Sequence, residues 1–212
     1  MALEASKKLH SWVTRLGRVA FPEALFRLNS SEKALFLTFD DGPTPEVTPW
    51  VLEVLRHYNA PSTFFLIGKN AVQNPELVNQ IKSEGHVLGG HCMKHENGWK
   101  TSNEAYVESA IKSCEMLETN WFRPPYGRLK RNQYAELQAK GITTVMWDCL
   151  SYDFELQVDG KWCFEHTVAN AREGGIVVFH DSLKAEKRLK NCLPLLLETW
   201  QEEGFVFRPL FK

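Results

Sequence analysis

From residue 33 onward, short apolar runs of β type alternate with stretches whose apolar residues recur at helical period. The runs cover residues 34–39, 63–67, 87–90, 121–123, 143–147, 176–179 and 205–207. Between them lie EVTPWVLEVLRHYN, NPELVNQIKSEG, NEAYVESAIKSCEMLETN, RNQYAELQAKG, KWCFEHTVANAREGG and RLKNCLPLLLETWQEEG. Several of these segments close on Gly85, Gly141, Gly174 or Gly204, as left-handed helix ends prefer. Seven strands and six intervening helices predict a parallel sheet with helices outside it. An open doubly wound sheet and a closed barrel satisfy this alternation equally, and neither GxGxxG nor GxxxxGK[ST] occurs to favour the first.

The polar residues fall at particular places in that pattern. Asp40 and Asp41 follow the first strand, His91 the third, Arg123 the fourth, Asp148 and Asp153 the fifth, and His180 and Asp181 the sixth. All sit at carboxyl ends of strands, the face on which parallel α/β proteins build active sites, so the pattern points to an enzyme.

TFDDG at 38–42 sets two adjacent carboxylates at a strand exit, where neighbouring side chains diverge and can take different tasks. By itself such a triplet is more often a solvated Asp-Gly turn. HCMKH at 91–95 spaces two histidines four apart, so a helical turn after the third strand would aim both imidazoles at one point. With Asp41 they make a two-histidine, one-carboxylate set suited to zinc or another divalent first-row metal. His10, His57, His86 and His166 lack such a setting and read as structural or solvated. FRPPYG at 122–127 offers an arginine beside a loop stiffened by two prolines, with Asp40 as the natural carboxylate for the guanidinium. WDCLSYDF at 147–154 and IVVFHD at 176–181 add a strand-end imidazole, carboxylates and aromatic walls. A histidine bonded to an acid has its tautomer fixed and its pKa raised, which suits a general acid.

Composition narrows the partners. The 212 residues carry 25 Lys+Arg against 26 Asp+Glu, without the basic footprint of a nucleic-acid binder. No compositional break or Pro/Ser-rich linker divides the segment after residue 31, which reads as one domain. Five cysteines, Cys92, Cys114, Cys149, Cys163 and Cys192, form no CxxC pair and no even framework, so a reducing, cytoplasmic setting is expected. No window is apolar enough for a transmembrane span, and no signal-peptide core is visible. Residues 1–31 read as an N-terminal helical extension, with Trp12, Val13, Leu16, Val19 and Ala20 on one side. That stripe suits docking on the domain, or peripheral contact with a membrane surface.

TFDDG, HxxxH, RPPYG, an Asp-aromatic pair and a strand ending in HD, in that order across about 140 residues, resemble the polysaccharide deacetylases with the NodB-homology domain. The resemblance covers roughly residues 32–210, within a polysaccharide deacetylase domain expected over 32–212. It implies an α/β fold, a distorted (β/α) barrel with seven parallel strands. It also implies a metal-dependent carbohydrate esterase that hydrolyses acetyl groups, N-acetyl foremost, from a sugar, oligosaccharide or glycoconjugate precursor. Carried over by position, Asp40 resembles the base, and Asp41, His91 and His95 the metal ligands. The metal is expected to be zinc, with cobalt, nickel and manganese as other divalent candidates. Arg123 resembles the residue that orients the base, the Tyr126 amide the oxyanion donor, His180 the general acid and Asp153 its partner. Phe154 and Val178 would line the acetyl pocket, and Trp99 with the loop 152–162 would supply an aromatic sugar platform.

Four positions depart from the family pattern: Cys92 for Ser or Thr, Leu150 for an earlier Asp of the fourth motif, Phe154 for Trp, and Val178 for Leu. Leu150 removes a carboxylate near the acid, and Asp148, two residues away, is the residue that would compensate. An active enzyme with altered substrate preference is expected. The alternatives are a non-catalytic sugar-binding relative and a non-haem iron oxygenase built on the same two-histidine, one-carboxylate set.

Overall fold

The computed structural model describes residues 19–210. The stripe expected over Trp12, Val13 and Leu16 lies outside the described residues. Eight strands are present among them: β1 (Ala34–Asp40), β2 (Thr63–Leu66), β3 (Val87–Gly90), β4 (Trp121–Phe122), β5 (Thr143–Thr144), β6 (Cys149–Leu150), β7 (Ile176–His180) and β8 (Val206–Phe207). Seven helices accompany them: α1 (Thr48–His57), α2 (Gly68–Gln73), α3 (Pro75–Ser83), α4 (Asn103–Met116), α5 (Arg131–Ala139), α6 (Gly160–Asn170) and α7 (Glu186–Glu202). The short α2 was not anticipated.

Neighbouring strands run β5-β4-β3-β2-β1-β7-β6, with every pairing parallel, and β8 pairs the first residues of β1. The two ends of that order are pieces of one run. Residues 143–144 pair with β4, and 149–150 pair with β7. One chain segment thereby passes from one edge to the other, curling the sheet into the distorted barrel that the family resemblance implied and that the periodicity alone left undecided against an open sheet. The fifth strand expected over 143–147 is strand only at 143–144, and β6 at 149–150 lies beyond its end, where no strand was expected. At the break, Leu25 pairs with Val145, accepting from Met146 N–H and donating to the Thr144 carbonyl. Residues 21–28, grouped by sequence with a helical extension, are here built into the barrel: Phe21 packs edge-on to Tyr134 at 5.1 Å, and Leu28 N–H bonds the Gly174 carbonyl.

Strand β1 is buried on both faces, as central parallel strands are. Its period of two separates them: Leu35, Leu37 and Phe39 join the cluster under α1, α6 and α7, while Ala34 and Phe36 pack with Phe65, Val145, Ile176 and Leu210 in a second one. Thr38 and Asp40 share that second face, which places a hydroxyl and a carboxylate inside the barrel near its carboxyl end. No helix among the described residues is long and apolar enough to cross a membrane.

Candidate active site

A cavity of about 290 Å³ opens at the carboxyl ends of the strands, with Asp40, Asp41, His91, His95 and His180 in its wall. The two aspartates diverge because Asp41 takes the left-handed conformation (φ +80°), costly for a residue with a side chain. Its turn is pinned from three sides: Asn70 Nδ2 donates to the Asp41 carbonyl at 2.8 Å, Ile67 N–H to the Gly42 carbonyl at 3.0 Å, and Gly42 N–H to Asp181 Oδ1 at 3.2 Å. Asp181 is fully buried, also accepts from Thr48 Oγ1 at 2.5 Å, and is pushed up to about 8 by that burial. A Cβ at Gly42 would lie 2.1 Å from its carboxylate, so only glycine fits there.

Asp40 points inward to Arg123, whose Nη1 donates to Asp40 Oδ1 at 2.7 Å and to Thr38 Oγ1 at 2.7 Å. The guanidinium is fully buried over the Phe65 ring, with the Val145 and Met146 carbonyls accepting its remaining bonds. The run between β5 and β6 thus supplies acceptors to the arginine.

His91 and His95 meet, but not on a helix. Cys92 and His95 both have positive φ (+59° each), and the tight turn they make sets the rings 5.0 Å apart. His91 Nδ1–H donates to the Arg123 carbonyl at 2.7 Å, which leaves the Nε2 lone pair facing Asp41. Burial depresses His91 to about 4, so it is neutral at physiological pH. Asp41 Oδ1 stands 3.2 Å from His95 Nε2 and 3.7 Å from His91 Nε2, buried and without a well-aligned hydrogen-bond donor among the described residues. Burial alone would raise the Asp41 carboxyl, but His95 beside it and, at the low pH where a carboxyl titrates, the protonated His180 and His91 outweigh burial and hold it well below the usual range. One ligand atom from each of the three residues lies within 4.8 Å of the others. A buried orphan oxygen with two imidazole nitrogens, one with its tautomer fixed, fits a divalent cation.

On the far wall, Asp153 holds His180 twice: Oδ2 accepts the backbone N–H at 2.7 Å, and Oδ1 lies 2.8 Å from Nδ1. Burial acts to lower His180, yet the Asp153 charge and hydrogen bond prevail and raise it to about 9.

The sequence of residues 27–145 matches the family model described as Polysaccharide deacetylase. A peptidoglycan-N-acetylglucosamine deacetylase of Bacillus cereus is 33% identical over 185 residues, spanning 84% of this chain and 86% of that protein. The chain belongs to the polysaccharide deacetylase family. A chitooligosaccharide deacetylase of Azorhizobium caulinodans is 29% identical, covering 87% of this chain and 96% of its own. The crystal structure of the Bc1960 peptidoglycan N-acetylglucosamine deacetylase superposes with a TM-score of 0.83 at 28% identity, over 89% of this chain and 91% of the other. This polysaccharide deacetylase is accordingly a hydrolase that removes acetyl groups from carbohydrate.

Within the deacetylase pocket, Phe154, Val178 and Tyr126 form part of the wall together with Leu150 and Trp147. Trp99 lies outside it, 61% exposed beyond Tyr126. The loop 152–162 contributes only Phe154, because Tyr152 and Trp162 turn away and pack on buried His166 at 5.1 and 4.7 Å. Asp148 does not compensate for Leu150. It lies at the amino end of β7's neighbour, beside Ile176, and both its oxygens bond Arg172 at 2.8 Å. Sequence reading passed over Thr38, Asn70 and Thr48 and gave Asp181 no task. The spacing of Thr38 two residues before Asp40 was the one available signal.

Proposed function

We propose that this deacetylase removes N-acetyl groups from N-acetylglucosamine-containing glycans, using zinc held by Asp41, His91 and His95. A bound divalent cation supplies Lewis-acid polarisation and lowers the pKa of water. Asp40 takes the proton of the attacking water. Arg123 fixes the Asp40 carboxylate through Oδ1 and leaves Oδ2 for that proton. The backbone N–H of Tyr126, in the pocket wall, donates to the oxygen on which charge develops. His180, kept protonated by Asp153, delivers its proton to the departing amine. Phe154, Val178 and Leu150 enclose the acetyl methyl group.

The observation that carries this reading is the convergence in one cavity of a metal-fitting trio, an arginine-held carboxylate and a carboxylate-held imidazole. The name of the Bacillus cereus relative supports N-acetylglucosamine as the acetylated residue. The five cysteines are free and buried, which supports a reducing compartment and a soluble or precursor glycan there. We place the catalytic unit at residues 32–210, with 21–28 as a strap that belongs to it. The test is acetate release from N-acetylglucosamine oligomers by metal-stripped protein reloaded with zinc, cobalt, nickel or manganese. Release restored by metal and absent in Asp40→Asn supports the assignment. Folded, metal-loaded protein that releases no acetate from any of them overturns it.

A further inference from the structure

Two histidines of the pocket wall, His95 and His180, are covered in the same way. His95 packs on Tyr126 at 4.4 Å, and Arg128 lies 5.7 Å above the Tyr126 ring and 5.1 Å from Trp99. His180 packs on Phe154 at 4.8 Å, and Lys184 Nζ stands 5.5 Å above the Phe154 ring. Each imidazole thus carries an aromatic ring, and each ring carries a cation. The carboxylates in the wall have partners: Asp40 faces Arg123 and Asp41 faces the two histidines. Neither Lys184 nor Arg128 forms an ion pair with any described residue. Cation–π contact restrains both cations while leaving their N–H donors open.

The Arg128 side is built, not incidental. Gln133 Nε2 donates to the Gly98 carbonyl at 2.9 Å, Lys130 Nζ to the Thr101 carbonyl at 2.8 Å, and the Trp99 indole N–H to the Leu129 carbonyl at 3.4 Å. A Cβ at Gly98 would lie 2.2 Å from the Arg128 carbonyl oxygen, so the two segments touch as backbone. An exposed indole is therefore held in place, with an unpaired guanidinium between it and the pocket. Aromatic faces suit sugar rings. A neutral N-acetylglucosamine chain offers these two cations hydroxyl and carbonyl acceptors but no countercharge.

We propose that Lys184 and Arg128 are specificity-determining residues, and that the glycan deacetylated here carries anionic groups, carboxylate or phosphate, on the sugars flanking or bearing the acetamide. This rests on the deacetylase reading above and names the substrate class for the same site. Lys184 meets the charge on the His180 side, where the amine departs, and Arg128 meets one farther along the chain over Trp99.

The experiment uses the full chain loaded with zinc and two separate readouts: calorimetric affinity and kcat/KM for acetate release. The probes are matched saccharides that are neutral, carboxylate-bearing or phosphate-bearing. An anionic probe is expected to bind several-fold more tightly than its neutral counterpart at low salt, and the preference is expected to shrink near 1 M salt, where screening acts within about 3 Å. Lys184→Ala and Arg128→Ala should each reduce the anionic-to-neutral ratio by roughly threefold, and Lys184→Arg and Arg128→Lys should keep it. Lys184 is exposed, so its variants fold, which a melting curve checks. Whichever anionic probe binds more tightly identifies the source of the charge. Equal affinity for neutral and both anionic probes overturns the inference, as does a preference that survives both alanine variants. Absent acetate release with anionic binding intact overturns the deacetylase reading and leaves the charge recognition standing.

Discussion

The two ends of the barrel each bury a carboxylate against an arginine, and they use the pair differently. At the amino end, Asp148 is fully buried, and Arg172 bonds both its oxygens while Arg27 approaches to 3.7 Å. At the carboxyl end, Asp40 gives only Oδ1 to Arg123, and the guanidinium spends its other donors on Thr38 and two backbone carbonyls. A saturated carboxylate fixes structure, whereas a carboxylate held by one oxygen is oriented and still able to accept. The same residue pair is therefore a clamp at one end and a site at the other, and coordination number separates the two roles.

The sharpest way to break this contrast is to neutralise each carboxylate in turn. Asp40→Asn should lower kcat by roughly 100- to 10,000-fold, measured as acetate release at saturating substrate, and a variant that keeps most of its turnover would remove Asp40 from the role of base. Next in size, His91→Ala or His95→Ala should weaken zinc binding by at least about 100-fold, read by metal analysis after dialysis, and chelation of the parent protein should abolish release. Retention of a full equivalent of zinc by both variants would dismantle the proposed trio.

A third experiment uses pH. In the folded, metal-free protein His180 holds its proton up to about 9, against 6.5 ordinarily. Between those values the folded chain binds a proton that the unfolded chain has released, so stability falls as pH rises. The contribution is complete below pH 6.5 and is lost as pH passes through about 9. Asp153→Asn should flatten that alkaline loss in Tm and move the alkaline limb of kcat/KM to lower pH. An unchanged profile would mean that Asp153 does not set the proton affinity of His180. The smallest effect on turnover belongs to the amino end. Asp148→Asn should cost about 2 kcal/mol, roughly 4–8 °C in Tm, with kcat/KM unchanged, and a large loss of activity without a loss of stability would collapse the distinction between the ends.

How much of the site is legible in the sequence depends on what places each residue. Asp40, Asp41, His91, Arg123, Asp153 and His180 stand at or just after strand ends, and a parallel sheet brings strand ends together whatever its closure. The turns after those strands are a different matter. Asp41, Cys92, His95, Tyr126 and Tyr152 all have positive φ, which local preference disfavours and tertiary contacts enforce. The helical geometry expected for His91 and His95 fails there, although their convergence does not. Trp99 and Trp162 show the same limit for aromatic residues: one is exposed beside Arg128, the other stacked on His166, and nothing in their sequence neighbourhoods distinguishes the two.

By itself the sequence determined the alternation of strands and helices, the face that carries the polar residues, and the motif order that marks the family. These are local and periodic properties, set by side-chain hydrophobicity and by the two-residue repeat of a strand. Tertiary structure alone decided how the barrel that the motifs implied is closed, through the segment divided between 143–144 and 149–150, and the pinning of the Asp41 turn by Asp181. It also decided which of two buried carboxylates keeps an open oxygen, and where Lys184 and Arg128 come to rest above their rings. Each of those depends on groups far apart in the chain competing for one donor, one acceptor or one volume, and that competition has no period to read.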